Sequence, residues 1–156
     1  MICPGSVAAE APFEDVTTEW AAEGTVLHEI AADCLEFGME PHDYVGRTLS
    51  SDGFRFEITK IMADCIVPGL DWLREQPGEL VIEHRVDLGA WIPEEFGTLD
   101  VGLIEDDLIT VFDWKFGQGV SVWPERNKQL MLYALGFWDN VARHKTEATK
   151  FRLVIE

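Results

Sequence analysis

Basic residues are scarce in this chain. Twelve Lys and Arg stand against 29 Asp and Glu, a formal charge of −17, and the first of the twelve is Arg47. Affinity for nucleic-acid phosphates comes from Lys and Arg. The chain alone is therefore expected to hold a polyanion weakly and in a salt-sensitive way, or with help from further subunits. The deficit is uneven. Residues 1–46 carry ten acids and no Lys or Arg, whereas residues 115–156 carry seven Lys or Arg and four acids, a local balance of +3. Cysteine is sparse too: Cys3, Cys34 and Cys65 are odd in number, widely spaced and without a CxxC. That excludes a disulfide framework and a cysteine metal site, and it points to reduced thiols in a cytoplasmic protein. No apolar run approaches the roughly 20 residues that span a bilayer, and no charged-then-apolar signal opens the chain. Repeats and low-complexity tracts are absent. What is present is 156 residues, 47% hydrophobic, with six Trp, enough for a single domain over 1–156 with a real core.

The chain is organised around G-T-L-D-V-G-L-I-E-D-D-L-I-T-V-F-D-W-K-F-G-Q-G, residues 97–119. Leu99, Val101 and Leu103 alternate, and β-favouring residues run from Leu108 to Phe116. Asp106-Asp107 is read as a two-residue hairpin turn, since Asp tolerates positive φ. A turn centred there puts Asp100 directly opposite Asp113, with side chains on one face and Cβ atoms about 5 Å apart. Lys115 returns to that face two residues later. Facing carboxylates repel, and one takes a proton unless a cation sits between them. Mg²⁺ suits such a place, because it accepts one or two carboxylates plus waters and phosphate oxygens. With an ammonium to hold a water beside the ion, this is apparatus for phosphodiester hydrolysis. The competing reading is a hairpin with a solvated acidic face.

Around this stretch the elements fall in order. Residues 1–16, with Pro4 and Pro12, read as a loop. A helix follows from Thr18 to Phe37, its stripe Val26, Leu27, Ile30, Ala31, Cys34 and Leu35, stopped at Gly38. His28 sits at the edge of the stripe, one turn after Gly24, where a bare backbone admits a close neighbour. It is either a packed histidine or a ligand. A linker with Pro41, Gly46, Ser50, Ser51 and Gly53 leads to a helix over 57–75 through Ile58, Ile61, Met62, Cys65, Ile66 and Leu70, which Pro68 should kink or break. A strand over 80–88 has Glu83, Arg85 and Asp87 on one face, so Glu83 either joins the acidic site or belongs to a solvated face. Trp123-Pro124 opens a helix whose apolar body is Leu130, Met131, Leu135, Phe137 and Trp138, and which sets Gln129 and Tyr133 on one face. Residues 151–155 form a last strand. The chain stops inside it, as a piece of a longer protein would. Helices on either side of a three-stranded meander make an α/β or α+β sandwich.

Taken together, E-G-T-V-L-H-E with His28, G-T-L-D with Asp100, D-W-K with Asp113 and Lys115, and Q-L-M-L-Y with Gln129 and Tyr133, along with I-C-P-G-S-V, resemble a PD-(D/E)XK nuclease. The likeness is to the RecB-like exonuclease group, in a phage- and prophage-borne branch, and covers nearly the whole chain. It implies a restriction-endonuclease-like αβββαβ core with a central mixed sheet flanked by helices. It also implies that His28, Asp100, Asp113 and the Trp114 carbonyl bind Mg²⁺, with Mn²⁺ as a substitute. Lys115 would position the attacking water, and Gln129 and Tyr133 would brace the site and contact the DNA backbone. No cysteine follows Cys65, so no iron–sulfur cluster is expected. The implied activity is a DNA exonuclease on linear double-stranded DNA, used in phage recombination or end processing. Its partners would be a phage single-strand annealing protein or further copies of the chain. The alternatives are a structure-specific or nicking endonuclease of the same fold, and a non-catalytic acidic or DNA-mimic protein, which the charge suggests.

Overall fold

A computed structural model describes residues 17–116 and 122–156. The lead-in at 1–16, Cys3 and the Gly117–Gly119 end of the central stretch lie outside the described residues. The architecture is α+β: a mixed four-stranded sheet with helices on both faces and a small separate hairpin.

Helix α1 spans Glu19–Phe37, capped by the Thr18 side chain on the Ala21 N–H and ended by Gly38 at φ 67°. The linker expected next is instead structured: a 3₁₀ turn at Pro41–Tyr44, then strands β1 (Thr48–Ser51) and β2 (Phe54–Glu57) paired antiparallel. Their turn is Asp52-Gly53, with φ of 48° and 83°, the geometry that makes Asp-Gly a hairpin signal. Helix α2 spans Lys60–Glu75, three residues shorter than its pattern predicts, because Thr59 caps the Met62 N–H. It runs through Pro68 without a break. Its buried row is Ala63, Ile66, Gly69, Leu70 and Leu73, so Ile61 and Cys65 face outward. Fitting this row against the sheet holds the helix through its proline.

Strands β3 (Glu79–Asp87), β4 (Phe96–Ile104) and β5 (Leu108–Asp113) form an antiparallel meander, and β6 (Lys150–Ile155) adds parallel to β5. The turn between β4 and β5 falls at Asp106-Asp107, in the predicted register, with Val101 opposite Phe112 and Ile104 opposite Ile109. Neither aspartate has positive φ. The turn is held instead by Glu105 N–H on the Leu108 carbonyl and by the Thr146 hydroxyl, which donates to the carbonyls of Glu105 and Asp106. Helix α3 spans Lys128–Asn140 and begins at the Asn127 cap, not at Pro124, because Arg126 turns left-handed at φ 60°. Its buried residues are Leu130, Ala134, Gly136 and Phe137, while Met131 and Leu135 lie on its open side.

The core is double. On one face α1 and α2 pack Val26, Ile30, Ile66 and Leu70 against Val101, Phe112 and Trp114. On the other, α3 packs Leu130, Ala134 and Phe137 against Val86, Leu99, Ile109 and Val111. Each fully buried aliphatic side chain stabilises by about 1.5–3 kcal/mol, so both layers are needed to hold the sheet.

Candidate metal centre

Strict alternation along β3 and β4 fails at one level of the sheet. Leu99 belongs to the α3 side, yet Val101, two residues on, belongs to the α1/α2 side. On β3, Leu80 packs with the α1/α2 cluster, whereas Val86 is in the α3 cluster. Both changes of phase flank one rung, where Glu83 and Asp100 face each other. The ladder holds on either side, at Ile82–Val101 and His84–Leu99, but that rung is missing. Glu83 there takes φ 45°, a left-handed conformation that costs a residue with a Cβ on the order of 1 kcal/mol or more. This corrects the even alternation expected for Leu80 to Leu88 and for Leu99 to Leu103. On the next strand the β4–β5 pairing stops at Val101–Phe112, one step short of Asp100 and Asp113. Glu83, Asp100 and Asp113 thus form a row across three strands, at the level where the ladder opens.

Helix α1 delivers His28 to this row. Its Nδ1 lies 3.3 Å from Asp100 Oδ2 and is buried without an aligned hydrogen bond. The same Oδ2 accepts the Trp114 N–H at 2.8 Å, leaving Oδ1 without a protein donor among the described residues. One ligand atom from each of His28, Glu83 and Asp100 lies within 4.8 Å of the other two. Asp113 is buried and ion-paired with Lys115, whose ammonium is partly open to solvent. Strand β5 ends at Asp113, so Lys115 reaches it from beyond the strand and not by alternation within it. Lys115 N–H bonds the Glu156 carbonyl of the parallel neighbour.

The charges are concentrated enough to shift one another. Burial raises the Glu83 carboxyl, and Asp100 raises it further. Burial also raises Asp113, with Asp100 adding to the shift and Lys115 opposing it. For His28, burial alone would lower the imidazole, but contact with Asp100 and the charges of Glu83 and Asp113 outweigh it, and the net shift is upward. Two carboxyls that hold their protons, an open carboxylate oxygen and an unbonded buried imidazole nitrogen fit a divalent cation with mixed N and O ligands.

An aromatic chain supports the site from below. Trp72 of α2 stacks on Phe112, Phe112 meets Trp114 edge-on, Trp114 stacks on Phe116, and Phe116 meets the His28 ring edge-on at 5.0 Å. Gly69 makes room for it, since a Cβ there would lie 2.5 Å from Trp114 Nε1. The expected close approach at Gly24 is to the Phe116 carbonyl, 4.0 Å from a built Cβ, an ordinary contact that alanine would tolerate.

A family profile described as "Protein of unknown function (DUF2800)" matches residues 1–154. The chain belongs to the DUF2800 family. No solved structure matches it. Of the residues read from sequence, the DUF2800 fold gathers His28, Glu83, Asp100, Asp113, Trp114 and Lys115 at one level of the sheet. Gln129 and Tyr133 share a helix face as expected, bonded to each other at 3.0 Å. The Tyr133 ring lies over Gly97, where a Cβ would meet it at 2.2 Å. That is three residues, about 10 Å of strand, from Asp100, and on the α3 side. The sequence reading underweighted Glu83 and missed Phe116. The E-L-V-I-E-H run gives no hint of a left-handed residue, and an aromatic beside D-W-K reads as strand core. None of the described helices is long and apolar enough to cross a membrane.

Proposed function

We propose that the chain is a metal-dependent deoxyribonuclease, acting as an exonuclease on linear DNA in the cytoplasm of a bacterial host, in phage recombination or end processing. The observation that carries this reading is the convergence of His28, Glu83 and Asp100 within 4.8 Å, beside the Asp113–Lys115 ion pair. His28, Asp100 and Asp113 would hold Mg²⁺ or Mn²⁺, with Glu83 and the Trp114 carbonyl completing the set. The bound ion supplies Lewis-acid polarisation of a phosphate oxygen and a more acidic water. Lys115, ion-paired with Asp113, would orient the attacking water and steady charge developing on the phosphate. Trp114 N–H fixes the Asp100 carboxylate, and Phe116 fixes the His28 ring. Gln129 and Tyr133 would brace β4 from the α3 side and contact the DNA backbone.

The test is digestion of linear double-stranded DNA with Mg²⁺ or Mn²⁺. Loss of substrate that EDTA stops, and that Lys115→Ala abolishes, supports the reading. Full activity in Lys115→Ala sinks it. Covalently closed circular DNA left intact separates an exonuclease from an endonuclease of the same site. The charge of −17 favours a second reading, a non-catalytic acidic protein that occupies a basic partner. Calorimetric titration with Mn²⁺ decides: one or two sites lost in Asp100→Ala support the enzyme, and no heat supports the decoy.

A further inference from the structure

The sheet face that carries the acid row continues, uncovered, past the end of the site. Gly97 and Leu99 point to α3, so Phe96 and Thr98 face the side of α1 and α2, as Asp100 does. Neither helix reaches them: Phe96 is 53% exposed, and Thr98, Arg85 and Asp87 are exposed too. Arg85 lies two residues beyond Glu83 on β3, about 7 Å along the strand. Its guanidinium rests on the Phe96 ring, 3.6 Å from the centroid. No carboxylate among the described residues lies in ion-pair reach of it, although Asp87, Glu94, Glu95 and Asn140 line the same hollow.

A guanidinium laid on an aromatic ring makes a flat, cationic surface, and unpaired nucleobases stack on aromatic and guanidinium planes. The surrounding carboxylates repel a phosphate but accept hydrogen bonds from exocyclic amino groups of bases. The chemistry therefore suits a base and not the backbone. We propose that Arg85 and Phe96 form a stacking platform for an unpaired nucleobase of a DNA single strand leading to the His28–Glu83–Asp100 site. The proposal rests on the nuclease reading for the identity of that strand. It gives a chain poor in cations a way to hold DNA that does not depend on neutralising phosphates. Stacking is tolerant of sequence, so the platform grips any amino-bearing base.

The test uses the full chain, in EDTA so that nothing is cut, with a single-stranded oligonucleotide carrying 2-aminopurine. Wild type should bind it and quench the probe by stacking. Phe96→Ala and Arg85→Ala should bind about tenfold more weakly and lose the quenching. Phe96→Leu, which keeps an apolar side chain under Arg85, should behave like Phe96→Ala, and Phe96→Trp should restore quenching. Phe37→Ala, at the far end of α1, should change nothing. Equal affinity and quenching in wild type and Phe96→Leu overturn the platform, and so does a folded wild type that binds no oligonucleotide. A separate Mn²⁺ digestion distinguishes the two readings. Cutting that ignores Phe96 removes the platform alone, whereas stacking without cutting removes the nuclease alone.

Discussion

Under α3 the sheet is apolar and close-fitted: Phe137 lies where a Gly102 Cβ would sit 2.3 Å away, Tyr133 covers Gly97, and Leu99, Ile109 and Val111 are fully buried beside them. On the α1 side the same strands bring Glu83 and Asp100 together with His28, and Asp113 is close enough to add its charge. One face removes side chains so that aromatic rings can approach the backbone. The other breaks its own ladder to bring like charges together. Packing of the first kind is a source of stability, and crowding of the second kind draws on it, an arrangement typical of sites that await a charged ligand.

The sharpest way to break this contrast is to disarm the charged face and leave the packed one alone. Lys115→Ala and Asp100→Asn should lower metal-dependent DNA hydrolysis by at least about a hundredfold, read as initial rates on linear DNA, while circular dichroism still shows the folded chain. The reverse experiment is Gly102→Ala. Overpacking against Phe137 should cost about 1–3 kcal/mol, seen in denaturant midpoints, with the rate per folded molecule retained. If Gly102→Ala instead abolished hydrolysis without unfolding, the two faces would not be separable.

A smaller effect has the opposite sign. Like charges directly opposite across strands destabilise by up to about 1 kcal/mol. Glu83→Gln should therefore raise the Tm of the metal-free protein by about 2–4 °C, and Mn²⁺ should erase or invert the gain. Its pH course follows from linkage. Glu83 and Asp113 hold protons more tightly folded than unfolded, their carboxyls being raised from 4.5 and 3.8. The stability they contribute is present below those values and is lost as pH climbs through the raised ones. Metal-free wild type should thus lose Tm over that rise more than Glu83→Gln does. The smallest effect is at Tyr44, in the core under α1 and α2. Burial and its hydrogen bond to Asp33 at 2.7 Å push the phenol up to about 12. Absorbance near 295 nm should show one phenol ionising there, shifted down in Asp33→Asn.

Much of the scaffold was legible because its signals are local. The Thr18-to-Gly38 helix announces itself by stripe and stop, and the turn at Asp106-Asp107 sets the β4–β5 register however its φ angles fall. Where the reading erred, a local signal was overlooked or outvoted. Asp52-Gly53 marks a hairpin that the surrounding serines disguised as linker. Pro68 argues for a break, but a row of buried contacts on either side of it outweighs one missing hydrogen bond. Pro124 argues for a helix start, but the Asn127 side chain supplies the cap. At the site, His28, Asp100, Asp113 and Lys115 were visible as residue types at the right spacing. Glu83 was ambiguous, because a strand's alternation cannot foretell where it will fail.

By itself, the order of residues determined most of the elements, the pairing of Asp100's strand with Asp113's, and a net charge of −17. Only the tertiary structure decided that β3 and β4 change phase at the same rung, and that the change swings Glu83 toward Asp100 and His28. The reason is physical: which way a side chain leaves a strand depends on backbone torsions imposed by both neighbours and by the layers packed above and below, and no window of sequence contains all of those at once.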